Sequence, residues 1–235
     1  MLSPRFWWAH YNTTALQPKS SLPPVAQPSA SLPGATSMPW RPWGKSKGRL
    51  HGMRVISGEA GGRRLKAPPG GRARPTADRV KEALFGALGE RVVGARVLDL
   101  YAGSGGLGIE ALSRGAEAGT FVERDPAAAA AIEENLARTG LSARAMVVRS
   151  SVDRFLAHPP EQPFDLVVID PPYSGGVPLR VLASLPAGGF LAPEAVVVVE
   201  VSSATLPITP PPDLELVSQR RYGDSALVWL QRLRP

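Results

Sequence analysis

Regular hydrophobic patterning begins near residue 54 and continues to the end of the chain. Short apolar runs, typical of buried strands, alternate with segments whose apolar positions are three and four residues apart, the spacing of a helix. The predicted strands are residues 96–101, 120–123, 145–148, 166–169 and 195–201. The helices predicted between them are residues 105–114, 126–138 and 152–157. Repeated strand–helix units of this kind predict a mainly parallel, doubly wound α/β sheet.

A pair of shorter extended runs precedes this alternation. Residues 54–57 and 63–66 are separated by glycines, which predicts a β-hairpin. After a break rich in proline and glycine, Thr76 or Asp78 can cap a helix whose apolar positions keep helical spacing. We therefore expect a hairpin and one helix in front of the sheet.

The chain closes with a second predicted hairpin. Residues 214–221 and 226–233 are extended runs on either side of Gly223 and Asp224, a turn-forming pair. Such a hairpin would add an antiparallel pair of strands at one edge of the parallel sheet.

A glycine-rich segment joins the first predicted strand to its helix. Its sequence D-L-Y-A-G-S-G-G-L-G (99–108) contains Gly103 and Gly105, which can adopt backbone angles closed to other residues and let a ligand approach the main chain. Glu123 ends the next strand, where a carboxylate can bind two ribose hydroxyls. This arrangement predicts a nucleotide-type cofactor site.

The pattern G-x-G-x-x-G leaves two cofactors to consider, a nicotinamide dinucleotide and S-adenosylmethionine (SAM). Asp99 favours SAM, because an acid before the loop can meet a ligand's ammonium group, whereas a pyrophosphate would be repelled. The rest of the chain supplies no obvious dehydrogenase acid, neither a well-placed histidine nor a Ser-Tyr-Lys set. A purely structural role for Asp99, as a cap of the loop, stays open.

The tetrapeptide Asp170-Pro171-Pro172-Tyr173 follows a buried strand, at the edge where open α/β sheets bind ligands. The amine of a nucleobase is a poor nucleophile because its lone pair is delocalised into the ring. The Asp170 carboxylate and the Pro171 carbonyl can accept its hydrogens and turn the lone pair toward a methyl group. Tyr173 can stack on a base that has left its helix or loop. The tetrapeptide predicts methylation of a nucleobase amine.

Composition removes other chemistries. The chain has no cysteine, which excludes disulfides, thiolate metal sites and methylation of a pyrimidine carbon through a cysteine nucleophile. Three histidines in 235 residues argue against a multi-histidine metal site or a Ser–His–Asp triad. We therefore expect catalysis without a metal.

Four sequence blocks give the chain a specific resemblance. They are R-V-I-S-G-E-A-G-G-R-R-L (54–65), R-P-T-A-D-R-V-K-E-A-L-F (74–85), D-L-Y-A-G-S-G-G-L-G-I-E-A-L-S-R-G (99–115) and D-P-P-Y (170–173). In this order they resemble the bacterial 16S ribosomal RNA (guanine-N2)-methyltransferase family, within the class I SAM-dependent methyltransferases. The resemblance spans about residues 53–235. It implies a Rossmann-like, seven-stranded, mostly parallel sheet with helices on both faces and a terminal antiparallel hairpin.

The same resemblance implies SAM as methyl donor and a guanine of 16S rRNA as acceptor, in an assembled or partly assembled 30S particle. Carried over by position, Asp99, Gly103 and Gly105 would line the methionine part of SAM and Glu123 its ribose. The adenine contact falls near Ser151 and Val152, where the family usually has Asp or Asn, so this contact is open. The full set of candidate cofactor residues is Asp99, Tyr101, Gly103, Gly105, Glu123, Arg124, Ser151 and Val152.

Charge is distributed unevenly along the chain. The formal net charge of +7 divides into +6 for residues 1–52, +6 for residues 53–81 and −5 for residues 82–235. Residues 53–81 precede the predicted catalytic edge, and we expect their positive charge to face RNA. The alternative is that these residues are only a solvated surface. Its candidate RNA-binding residues are Arg63, Arg64, Lys66, Arg72, Arg74, Arg79 and Lys81.

We expect three parts in the chain. Residues 1–52 lack strand or helix periodicity and form either a disordered basic arm or translated upstream sequence, with Met53 as the true start. Residues 53–81 form the basic extension, and residues 82–235 the methyltransferase domain. No apolar run reaches membrane-spanning length, so a soluble, cytoplasmic protein is expected. We also expect it to be a monomer. The alternatives are adenine-N6 methylation of RNA or DNA, and a non-catalytic RNA-binding assembly factor.

Overall fold

The computed structural model describes residues 53–67, 75–171 and 178–233, all within one compact unit. Its strands are β1 (Arg96–Leu100), β2 (Ala118–Glu123), β3 (Ala145–Arg149), β4 (Phe164–Ile169), β5 (Leu191–Ser202), β6 (Leu214–Tyr222) and β7 (Ser225–Arg232). Its α-helices are α1 (Pro75–Leu88), α2 (Gly106–Ser113), α3 (Pro126–Thr139), α4 (Val152–Leu156) and α5 (Leu179–Ala187). The predicted alternation of strands and helices is confirmed, with most boundaries within a few residues of those expected.

All seven strands belong to one sheet in the order β3-β2-β1-β4-β5-β7-β6. Strands β1 to β5 pair in parallel, whereas β7 is antiparallel to both β5 and β6. The predicted mostly parallel sheet with a terminal antiparallel hairpin is therefore confirmed. The order reverses beside β1, so the ends of β1 and β4 form the topological switch point at which open sheets bind ligands.

Helices cover both faces of the sheet. On one face, Leu98 and Leu100 of β1 pack in a buried cluster with Val152 of α4 and Leu182 of α5. On the other face α2 approaches closely, because a side-chain carbon at Gly108 would lie 2.3 Å from the Phe121 ring. Only a residue without a side chain allows this approach of α2 to β2.

The front of the domain contains the predicted hairpin. Residues 54–57 and 63–66 pair antiparallel through a bridge between Arg54 and Arg64, and the Val55 N–H donates to the Arg63 carbonyl at 2.9 Å. The limit drawn between residues 81 and 82 lies inside α1, and both parts belong to one compact unit; the division of the chain into three parts stays a prediction. Residues 1–52 lie outside the described residues.

A buried carboxylate on α2 holds residues 53–67, hereafter the basic segment, against the sheet domain. Glu110 is fully buried and accepts hydrogen bonds from the backbone N–H groups of Ile56 (2.7 Å) and Ser57 (3.0 Å). It also accepts from Arg114 Nε at 2.7 Å and lies 3.5 Å from Lys81 Nζ. One side chain on α2 thus joins the basic segment, α1 and its own helix.

The next turn of α2 adds a backbone contact that requires glycine. Gly58 has a φ of +84°, and a side-chain carbon there would lie 1.8 Å from the Ser113 carbonyl oxygen. Ser113 Oγ donates to the Ser57 carbonyl at 2.6 Å, and its own carbonyl accepts from the Glu59 N–H at 2.9 Å. The basic segment is therefore an integral layer of the fold.

Candidate active site

The glycine-rich loop and the tetrapeptide begin side by side. Leu100 is paired with Ile169 at the carboxyl ends of β1 and β4, so Tyr101 and Asp170 are the next residues on adjacent strands. The Asp170 N–H donates to the Leu100 carbonyl at 3.5 Å, which extends the pairing by one step. The structure thus brings together the two motifs on which the predicted chemistry depends.

Asp99 lies beneath the loop and shapes it. Its side chain is 2% exposed, and its Oδ2 accepts a hydrogen bond from the Gly108 N–H at 2.8 Å. Burial raises the pKa of Asp99 to about 7; the Gly108 hydrogen bond opposes this shift and the charge of Glu123 adds to it. The loop-capping role left open by the sequence is therefore present, and a contact to a ligand's ammonium group stays a prediction.

This raised pKa gives a testable pH dependence. An ammonium group is attracted to ionised Asp99 only, and the ionised fraction rises as pH increases through about 7. Because apparent affinity scales with the fraction of competent protein, the affinity for SAM should increase about fivefold from pH 6 to pH 7. Above that range the α-amino group of SAM, with a pKa of about 7.7–8.0, begins to lose its own proton. Calorimetric titration across this range tests it, with Asp99→Asn as the control expected to give a weaker, flat profile. A flat wild-type profile would contradict the contact.

Glu123 closes the other side of the loop. Its Oε2 accepts from the Gly103 N–H at 2.9 Å, and its Oε1 accepts from the Asp125 N–H at 2.8 Å. Each carboxylate oxygen has a second lone pair, so these bonds leave acceptor capacity for a diol. The predicted ribose contact is compatible with this half-buried position at the end of β2 and remains a prediction.

The backbone of the loop fits close approach by a ligand. Gly103 and Gly105 have φ values of +57° and +79°, where residues with side chains are strained. A side-chain carbon at Gly105 would press on Ile109 and Ile132, at 3.1 Å and 3.3 Å. At Gly103 its nearest neighbour would be the Tyr101 carbonyl oxygen, 4.0 Å away and without a clash. Gly105 is thus required by the packing, while the open side of Gly103 is available to a cofactor.

Tyr101 adopts a left-handed backbone conformation with a φ of +61°, an uncommon state for a residue with a side chain. Burial raises the pKa of its phenol, the negative charge of Asp153 adds to the shift, and the positive charge of Arg124 opposes it. Tyr101 follows β1, Arg124 follows β2 and Asp153 lies in the first turn of α4. A strained residue of this kind is characteristic of functional loops.

The candidates for the adenine contact lie at the start of α4. Ser151 Oγ accepts from the Arg154 N–H at 3.3 Å and caps the helix, and Val152 is buried in the core beneath it. Ser151 is exposed at the same sheet edge as Glu123, since β3 pairs in parallel with β2. The structure gives both residues a local structural role, and their contact with a cofactor stays a prediction.

Within the tetrapeptide, the described residues are Asp170 and Pro171. Asp170 is exposed, as a group that meets a substrate must be, while Pro171 is buried beside it. Pro172 and Tyr173 lie outside the described residues, so the expected stacking by Tyr173 stays a prediction.

The sequence analysis missed one residue that connects the loop to the basic segment. Asn135 of α3 is fully buried; its Oδ1 accepts from the Lys66 N–H at 2.7 Å, and its Nδ2 donates to the carbonyls of Lys66 and Ser104, each at 3.0 Å. Met53 adds a second connection, with its sulfur 3.1 Å from Ser104 Oγ. The available signal was an amide at a core-facing position of an otherwise apolar helix face.

The predicted RNA-facing set divides in the structure. Arg63, Arg64, Lys66 and Arg79 are exposed; Arg63 Nη1 donates to the Arg138 carbonyl at 2.6 Å, and Lys66 pairs with Glu134. Exposed pairs of this type are weak and can exchange for phosphate. Arg72 and Arg74 lie outside the described residues.

Lys81 does not belong to that surface. Its side chain is 5% exposed, and its Nζ donates to the Arg54 carbonyl at 2.5 Å beside Glu110. Burial lowers the pKa of this ammonium group, and the charge of Glu110 opposes the shift. The prediction that Lys81 binds RNA is therefore wrong, because α1 turns this residue inward and its charge is used in the buried cluster.

A cavity of about 340 Å³ lies elsewhere, at the amino ends of β1 and β4. Its lining includes Ala95 and Asp165. They lie six and five residues before Tyr101 and Asp170, which is roughly 20 Å and 17 Å at about 3.3 Å per residue. Among the described residues, no group of three or more His, Asp or Glu side chains could hold a metal ion. In the same ranges, no helix is long and apolar enough to span a membrane.

The strand order, the glycine loop at the switch point and the carboxylate at the end of β2 define a class I SAM-dependent methyltransferase. Residues 53–231 match a family model described as Conserved hypothetical protein 95. The chain is 38% identical over 180 residues to Ribosomal RNA small subunit methyltransferase D of Escherichia coli (strain K12), covering 77% of this chain and 90% of that relative. The protein of the same name from Haemophilus influenzae is 36% identical over 173 residues, which cover 73% of this chain and 89% of that relative. The chain therefore belongs to this methyltransferase family, which confirms the resemblance.

Solved structures agree with this assignment. The structure of yhhF from Escherichia coli is 39% identical, with a TM-score of 0.68, and covers 76% of this chain and 97% of its own. The structure of the Thermus protein TTHA0928 is 33% identical, with a TM-score of 0.62. The match covers 75% of this chain and 97% of that one. The matched part of this chain thus covers nearly the whole of each of these two structures.

Proposed function

We propose that this protein transfers a methyl group from SAM to the exocyclic N2 amine of a guanine in 16S rRNA. One observation carries the proposal: Asp170 is exposed at the end of β4, one strand away from the cofactor loop and hydrogen bonded to the end of β1. The names of the relatives, ribosomal RNA small subunit methyltransferase D, support small-subunit rRNA as the substrate.

The chain's own groups can activate an amine without a covalent intermediate. SAM, when bound, presents a methyl group on a positively charged sulfur as the electrophile. The Asp170 carboxylate and the Pro171 carbonyl accept the two N2 hydrogens and turn the nitrogen lone pair toward that methyl group. A hydrogen bond to the charged Asp170 carboxylate contributes about 1.5–3 kcal/mol, and one to the neutral Pro171 carbonyl about 0.5–1.5 kcal/mol. As the nitrogen–carbon bond forms, the bond between the methyl carbon and sulfur breaks and its electron pair stays on the sulfur. The nitrogen then releases its extra proton to Asp170 or to water.

The substrate we propose is a 30S particle, assembled or partly assembled, on which the protein acts as a cytoplasmic monomer. The exposed arginines of the basic segment would then bind phosphates and position the RNA, and the binding would weaken as salt increases. The guanine would leave its stack to reach Asp170.

The proposal is tested by the identity of the product. The purified protein is incubated with isotopically labelled SAM and either naked 16S rRNA or 30S particles from cells that lack the enzyme, and the RNA is digested to nucleosides. We expect label in N2-methylguanosine, with particles as the better substrate. Label in N6-methyladenosine would assign the other amine, and the absence of label in both RNAs would favour a non-catalytic binding role.

A further inference from the structure

The turn between β6 and β7 lies at the catalytic edge of the sheet. This hairpin tip is residues 220–224, Arg-Arg-Tyr-Gly-Asp. Because β7 runs antiparallel to β5, Ser225 pairs with Ser202 at the carboxyl end of β5. The tip therefore projects from the same edge as the ends of β1 and β4, although it is distant from them in the sequence.

The pairing places the tip at the level of the reacting group. One continuous row of paired residues crosses the sheet through Leu100, Ile169, Val199, Val228 and Gln219. Asp170 and Arg220 each follow this row by one residue, on strands three spacings apart. At about 4.8 Å per spacing, their backbones are roughly 14 Å apart, a distance of a few nucleotides along an RNA strand.

The two arginines of the tip face opposite sides of the sheet. Gln219 points to the side of Ile208, with which it exchanges two hydrogen bonds, so Arg220 points to the other side. That other side is the one on which α2 packs, and α2 holds the basic segment. Arg221 projects from the Gln219 side, and both arginines are exposed.

The hairpin tip is better suited to binding individual phosphate groups than to attracting RNA through a high net positive charge. Two acidic residues belong to the same region: Asp224 is in the turn itself, and Glu200 pairs with Leu227, the residue that also pairs with Arg220. Ser225 Oγ donates to Glu200 Oε1 at 2.9 Å. The local net charge is therefore close to zero. Arginine can still bind a phosphate through two parallel hydrogen bonds, a geometry that fixes position as well as charge.

We propose that Arg220 and Arg221 form a second RNA contact, on the opposite side of Asp170 from the basic segment. The inference rests on the proposed function, since it presumes an RNA substrate at Asp170. The RNA then crosses the catalytic edge between two anchors, and the target base enters between them. Residues 82–235, acidic as a whole, thus contribute their own phosphate contacts.

The test compares arginines at the two ends of one hairpin. The double variant R220Q/R221Q and the charge reversal R221E alter the tip. R232Q removes the same charge at the far end of β7, where Arg232 donates to the Leu191 carbonyl. For each protein, affinity for 30S particles is measured as a function of salt, together with SAM affinity and initial methylation rates.

We expect R220Q/R221Q to raise the KM for particles about tenfold and to reduce the slope of log affinity against log salt by about one to two. R221E should weaken binding further than a neutral substitution, while SAM affinity in all variants and the RNA affinity of R232Q stay at the wild-type value. Wild-type KM and slope in the double variant would overturn the second contact. A parallel loss of SAM affinity would also overturn it, since the arginines would then support the fold. Failure of the wild-type protein to methylate either RNA would refute the proposed function itself.

Discussion

Replacing Asp170 by alanine is expected to reduce turnover about 10²–10⁴-fold, the usual contribution of a group that orients a reactant and receives its proton. The affinity for SAM should remain within about twofold of wild type, because the groups around the glycine loop are unchanged. Single-turnover rates with 30S particles, combined with SAM titration, measure both quantities.

Two further variants sharpen this result. Asp170→Asn keeps an oxygen that can accept one N2 hydrogen but loses the negative charge, so its rate should fall between those of wild type and Asp170→Ala. Asp213→Ala removes an exposed carboxylate just before β6 and should have no effect on the rate. Near-normal methylation by Asp170→Ala would remove Asp170 from the mechanism.

Replacing Glu110 by alanine is expected to lower the free energy of unfolding by about 3–5 kcal/mol, the cost of leaving buried charges without their partner. Lys81 and Arg114 would lose their carboxylate, and the N–H groups of Ile56 and Ser57 would lose their acceptor. Urea unfolding curves give the change directly.

The chain provides a matched control for this variant. Glu134 is also a helical glutamate that pairs with the basic segment, through Lys66, but its side chain is 43% exposed. Glu134→Ala should cost no more than about 1 kcal/mol, as is usual for exposed pairs. Equal losses for the two variants would mean that burial of Glu110 does not determine its contribution.

The parallel core was predictable because its strands are buried on both faces and appear as apolar runs. Helix α5 was not predicted, since Pro178 before it and Pro186 within it hide the helical spacing. Strand β5 begins four residues earlier than expected. Pro193 and Glu194 interrupt its apolar run there, with Glu194 at a φ of +63°. Local breaks of pattern conceal elements that packing and strand pairing stabilise.

The candidate site was predictable as far as strand order determines it. Asp99, Glu123 and Asp170 each sit at or near the carboxyl end of a parallel strand, and the ends of neighbouring strands must meet. Lys81 was misplaced because a count of charges does not distinguish the faces of a helix. Glu110 and Asn135 bind backbone groups of the basic segment more than 50 positions away. The local sequence marks Asn135 as an amide on an otherwise apolar helix face, but it does not identify these partners.

The position of the hairpin tip was also not predictable from the sequence. The net positive charge of the sequence lies entirely before residue 82, so RNA contacts were expected in residues 53–81 alone. Strand pairing brings Arg220 to the level of Asp170, although 50 residues separate them. A domain that is acidic as a whole thus carries two exposed arginines at its catalytic edge, which we propose as the second RNA contact.

The most direct test of the central claim is a map of methylated nucleosides in 16S rRNA from the native host, with and without the gene for this protein. The proposed function predicts that one N2-methylguanosine disappears when the gene is deleted. It should return with the wild-type gene but not with Asp170→Ala. An unchanged guanine methylation map, or the loss of a methylated adenine instead, would contradict the claim.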